Sequence, residues 1–83
     1  MASNGEISRA FSLLAELLLL HGRDERLAAL LSGASFRIRK LPEVAAIPGA
    51  EVTRLFRPEI RKLLKEVEAN GSIAALDELV QLT

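Results

Sequence analysis

Apolar positions along the chain recur at three- and four-residue intervals, which is the spacing of a series of short helices. Ile7, Phe11, Leu14 and Leu18, with Ala10 beside them, mark the buried stripe of a first helix. Ser3 followed three residues later by Glu6 is a capping box, and Asn4 is a rival cap one position on. Leu13, Leu17 and Leu20 widen the stripe past the usual arc, so this helix is either central to the fold or partly covered by a second chain. Gly22 ends it, with His21 in the last turn.

Asp24 can cap a second helix, along which Leu27, Leu30, Leu31 and Ala34 continue the periodicity. Gly33 interrupts it, as a break or as a point of close contact with another helix. Phe36 to Leu41 alternates apolar and basic residues like a strand, but has nothing to pair with. It reads as the end of this helix, stopped by Pro42. Pro48-Gly49 signals a turn, and a short helical pattern runs on through Val52 and Leu55.

Pro58 suits the first position of a new helix, where its missing N–H costs nothing, and Glu59 complements the positive end. Ile60, Leu63, Leu64 and Val67 form its buried face, and Asn70-Gly71 is its stop. Ser72 then caps a last helix whose Ile73, Leu76, Leu79, Val80 and Leu82 face inward. The expected fold is all-α: a compact bundle of four or five short helices, one domain spanning residues 1–83.

Composition narrows the function more than the fold. Eighty-three residues suit a single domain, and 49% apolar with 27% charged residues argues against disorder. There is no Cys, Trp or Tyr and one His, so disulfides, thiolate metal sites and sites of several imidazoles are excluded within the chain. No catalytic residue, metal site or cofactor is therefore expected. The polar N-terminus carries no secretory pattern, and no apolar run approaches the roughly 20 residues that span a bilayer. A soluble cytoplasmic protein is the expectation.

The formal net charge is zero and the pI near 6.6, yet the charges are unevenly distributed. Residues 37–65 carry eight basic side chains (Arg37, Arg39, Lys40, Arg54, Arg57, Arg61, Lys62, Lys65) against three acidic ones. Residues 66–83 carry four acidic side chains and no basic ones. The division suits a basic face that meets phosphate. It also suits plain solvated helix faces neutralised by neighbours such as Glu59 and Glu66. With aromatic residues at 4%, a base-stacking platform for single strands is not expected.

The order of motifs carries a resemblance. Asn4-Gly5-Glu6-Ile7, Leu14-Ala15, Ala34, Ile38-Arg39-Lys40-Leu41-Pro42, Gly49-Ala50-Glu51, Leu55, Ile60, Glu66 and Gly71-Ser72-Ile73 with Leu76 follow one another along nearly the whole chain. In this order they resemble the N-terminal 8-kDa domain of family X DNA polymerases, the polymerase beta family. The resemblance implies a four-helix domain with a helix-hairpin-helix at about residues 50–70. In that family the hairpin's glycines let backbone amides approach a DNA phosphate, and the domain holds gapped or nicked DNA. Some members also remove a 5′-deoxyribose phosphate through a lysine.

This chain departs from the pattern at the hairpin. Leu55-Phe56-Arg57-Pro58-Glu59-Ile60 is two residues shorter than the family's hairpin and contains no glycine. Pro58 removes a donor, and Glu59 puts a negative charge where phosphate would arrive. The position implied for the lyase lysine is Leu63. Neighbouring Lys62 lies about 100° around the helix, and as a nucleophile it would need a depressed pKa. The family's phosphate pocket on the second helix is here the apolar Leu27-Ala28-Ala29-Leu30-Leu31. Lyase chemistry is not expected.

Two functions remain open. One is a non-catalytic DNA-binding domain making sequence-independent phosphate contacts through Arg54, Arg57, Arg61, Lys62 and Lys65, with Arg37, Arg39 and Lys40 as further contacts. The other is a protein-interaction or self-association module using the surplus leucines of the first helix, Leu13, Leu17, Leu19 and Leu20.

Overall fold

The computed structural model describes residues 3–41 and 56–82. These form four helices, α1 (Asn4–Leu20), α2 (Glu25–Lys40), α3 (Pro58–Asn70) and α4 (Ala74–Leu82), and no strand. The all-α bundle is as expected. The turn at Pro48-Gly49, the short helical pattern after it, Arg54 and the first part of the hairpin region lie outside the described residues.

Local chemistry sets the ends of α1. Ser3 is the N-cap: its Oγ accepts the Glu6 N–H at 3.2 Å and lies 3.2 Å from the Glu6 carboxylate, to which it donates. Asn4 is instead the first helical residue, and its amide donates to the Leu41 carbonyl at 3.1 Å, tying the start of α1 to the end of α2. At the other end, Gly22 takes a φ of +65°. Its N–H bonds the Leu19 carbonyl and that of Arg23 the Leu18 carbonyl, a Schellman closure. Asp24 caps α2 by accepting the Leu27 N–H at 3.0 Å.

This tight connection folds α2 back on α1, and the pair forms the centre of the bundle. α3 packs on α2 and α4 on α1. Ile7, Phe11 and Leu14 meet Leu31 and Ile38 in the core, which Ile60 and Leu64 of α3, Ile73 just before α4 and Leu79 of α4 complete. No described helix is long and apolar enough to cross a membrane.

Between α1 and α2 lies a polar cluster that the apolar spacing does not announce. Ser8 and Ser35 are buried at 1% and 2% exposure. The Ser35 Oγ donates to the Ser8 carbonyl at 2.8 Å, and the Ser8 Oγ can reach the Ser35 carbonyl at 3.0 Å or the Ser35 Oγ at 2.8 Å. The Ser12 Oγ joins at 2.7 Å from the Ser35 Oγ. Small side chains at this level let the two backbones approach closely.

Four expectations need correction. Gly33 neither breaks α2 nor marks a close contact: the helix runs straight through it, and an added Cβ would meet no atom within 4 Å. Ser72 does not cap α4. The helix begins at Ala74, whose N–H is accepted by the Glu66 carboxylate of α3, while Ile73 is drawn into the core. Val80 and Leu82 face solvent at 50% and 57% exposure, because α4 packs on one flank only and Leu79 is its last buried residue. Leu17 belongs to the core at 7% exposure, so the exposed leucines of α1 are Leu13, Leu19 and Leu20.

Candidate nucleic-acid interface

The rotational setting of α3 follows from its apolar residues. Ile60, Leu64 and Val67 are buried at three- and four-residue spacing. That turns Pro58, Arg61, Lys62 and Lys65 to the outer face, where all four are exposed. Together they line a shallow hollow of ≈ 360 Å³. Arg57 stands just before them as the exposed N-cap residue. The cations expected on this element are thus gathered on one solvent-facing surface.

Neither carboxylate expected to neutralise them forms a direct ion pair with them. Glu59 reaches across to α2 and pairs with Arg26 at 2.8 Å. Glu66 is spent on the first turn of α4, accepting the Ala74 N–H. Among the described residues, none of Arg57, Arg61, Lys62 and Lys65 forms an ion pair with a carboxylate. The positive potential of the face is lowered by the nearby Glu59, which interacts with Arg57, but not cancelled by direct pairing.

The helix N-terminus itself is a poorer anion site than a glycine hairpin. Pro58 has no N–H, and no side chain caps the turn. The Glu59 carboxylate accepts from its own backbone N–H. That bond first, then the hydrogen bond from Arg26 and, more weakly, the charge of nearby Arg57, hold its pKa below the ordinary carboxylate value against an opposing desolvation. Side chains, not open amides, present the positive charge here.

The three basic residues of the last turn of α2 diverge. Arg37 faces α3 and lines a hollow of ≈ 170 Å³ with Gly33, Ala34, Phe56, Arg57 and Ile60. Arg39 turns toward α1, where its Nε donates to the Ser8 Oγ at 3.3 Å. The Lys40 ammonium sits 4.2 Å from the centroid of the Phe36 ring. Arg37 shares its hollow with Ile60 of α3, and Lys40 lines the neighbouring one with Phe36, Leu41 and Phe56. Arg39 is separated from them because one residue along a helix is about 100° of rotation.

Leu63, at the position implied for a lyase lysine, is half-buried against the core. Lys62 is on the open face. No group of three or more His, Asp or Glu side chains spaced to hold a metal occurs among the described residues.

Sequence reasoning missed the Arg26–Glu59 tie and the Glu66 cap, both of which join residues distant in sequence. It also missed the serine cluster. A signal for that cluster was present: Ser8 lies seven residues before Ala15 within the apolar stripe, and Ser35 seven residues after Ala28. Comparison with known proteins finds no matching family model, no similar curated protein and no similar solved structure.

Proposed function

We propose that this chain is a non-catalytic DNA-binding domain that holds backbone phosphates without reading sequence, related to the N-terminal domain of family X DNA polymerases. Arg57, Arg61, Lys62 and Lys65 supply the contacts, Arg37 flanks them, and Arg54 is a further candidate. The observation that carries the reading is the outer face of α3: exposed cations on one side of one helix, with Glu59 and Glu66 engaged elsewhere. From Arg57 to Lys65 the helix advances about 12 Å. That matches the rise of three to four base pairs at about 3.4 Å each.

The test is a salt titration of binding to a gapped duplex. Four neutralised phosphates give a log–log slope of about −3.6. Replacing Arg61 and Lys65 together by Gln should halve that slope. Absence of binding at low salt, or a slope indifferent to these two residues, refutes the reading.

The exposed Leu13, Leu19 and Leu20 of α1 favour a second reading, self-association or protein binding on the same scaffold. Leu20→Glu is the variant for it, because Leu20 is 68% exposed whereas Leu17→Glu would bury a charge and unfold the domain. Light scattering that finds the wild-type chain monomeric excludes self-association.

A further inference from the structure

Phe36 stands out on α2. It is one of three aromatic residues in the chain, yet it is 61% exposed while Phe11 and Phe56 are buried. Its surroundings are cationic. Lys40 lies over the ring at 4.2 Å, and Phe36, Arg37, Lys40, Leu41 and Phe56 line a hollow of ≈ 350 Å³. Arg37 and Phe56 are shared with the next hollow, which adds Arg57, and Pro58 begins the third with Arg61, Lys62 and Lys65. The exposed ring therefore sits at one end of a series of cationic hollows, of which the first two share Arg37 and Phe56 and the third follows from Arg57 to Pro58 along the chain. The scarcity of aromatics in the sequence had argued against such an arrangement.

We infer that Phe36 is a stacking platform for an unpaired nucleobase, placed at the end of the cationic track so that the module favours DNA with exposed bases over intact duplex. The inference rests on the phosphate-binding reading above, and adds to it the side chain that would distinguish open from closed DNA. An aromatic face stacks on any base, so the contact is indifferent to sequence like the phosphate contacts beside it. In a closed duplex both faces of each base are already stacked, and Phe36 has nothing to receive. At a gap or in a single strand a base face is free. Lys40 covers one side of the ring, and the base takes the other while the ammonium meets a neighbouring phosphate.

The full chain is tested as wild type and as Phe36→Ala, Phe36→Tyr and Phe36→Trp, against oligothymidine, a gapped duplex, a closed duplex and inorganic polyphosphate. Phe36→Ala should weaken binding to oligothymidine and to the gap on the order of 5- to 100-fold. Its affinity for closed duplex should stay within about twofold, since the phosphate contacts are untouched. Phe36→Tyr keeps the ring and should keep the preference. The chain has no Trp, so Phe36→Trp installs a single reporter whose fluorescence oligothymidine should quench and polyphosphate should not. Equal losses on every form of DNA, no loss at all, or an unquenched reporter while wild type still binds closed duplex overturns the stacking role alone. Wild type that binds no DNA overturns both readings.

Discussion

Replacing Ser35 by Ala removes one oxygen from the centre of the α1–α2 contact, and the hydrogen bonds around it limit what that costs. Each hydroxyl has one proton and can accept twice. Ser35 gives its proton to the Ser8 carbonyl at 2.8 Å and accepts from Ser12, 2.7 Å away. Ser8 can donate to the Ser35 Oγ or carbonyl, and accepts from the Arg39 Nε at 3.3 Å. All three protons are placed, and no buried side-chain donor or acceptor is left unsatisfied among the described residues. In the alanine variant Ser8 keeps the carbonyl at 3.0 Å, and half-buried Ser12 turns to water. What is lost is one bond to the Ser8 carbonyl and one buried acceptor, so the expected destabilisation is about 1–2 kcal/mol. For a domain with total stability on the order of 4–12 kcal/mol this is a large fraction. Urea unfolding followed by far-UV circular dichroism should show the midpoint lower by about 1 M or more at an m-value near 1 kcal/mol/M. A Ser35→Ala midpoint equal to or above wild type refutes the account and makes the cluster incidental to stability.

Two further outcomes follow from single residues. The Glu59 carboxylate has its pKa lowered in the folded state, by its own N–H first and then by Arg26 and Arg57. Its stabilising contribution is therefore present above the ordinary carboxylate range and is lost as pH falls through the lowered folded value. Denaturation of wild type and Glu59→Gln from about pH 7 to about pH 3 should show a gap widest near neutrality that closes in acid; a gap independent of pH contradicts this. Gly33→Ala should raise stability by about 1 kcal/mol, since the site is mid-helix and open, whereas Gly71→Ala should lower it by a similar amount because φ is +74° there. Melting temperatures that shift in the same direction for both glycines would contradict the assignments.

Most of the fold was legible because its signals are local. Ser3 and Asp24 as caps, Pro58 at a first helical turn, and Gly22 and Gly71 as stops each act within a few residues, and each stands where the spacing puts it. The readings that failed depend on distant neighbours. Whether Val80 faces the core depends on what flanks α4, and whether Gly33 is pressed depends on how near α3 comes to α2. Ser72 is a good cap by residue type. It loses the place because Ile73 gains more by burial, and because Glu66, eight residues before Ala74, can serve the freed amide.

The candidate interface divides in the same way. The face of α3 could be read from sequence, since Ile60, Leu64 and Val67 fix the helix's rotation and so fix where Arg61, Lys62 and Lys65 point. What could not be read was which carboxylates remain to oppose them. A count of charges gives zero for the chain and suggests a surface of neutral pairs. Glu59 and Glu66 also serve the architecture, one joining α3 to α2 through Arg26, the other starting α4. With Glu59 tied to a distant arginine and Glu66 to a helix terminus, neither forms an ion pair with a cation of α3, although Glu59 still interacts with nearby Arg57. A chain of zero net charge thereby keeps a positive face, and affinity for phosphate is set by that local imbalance and not by the isoelectric point.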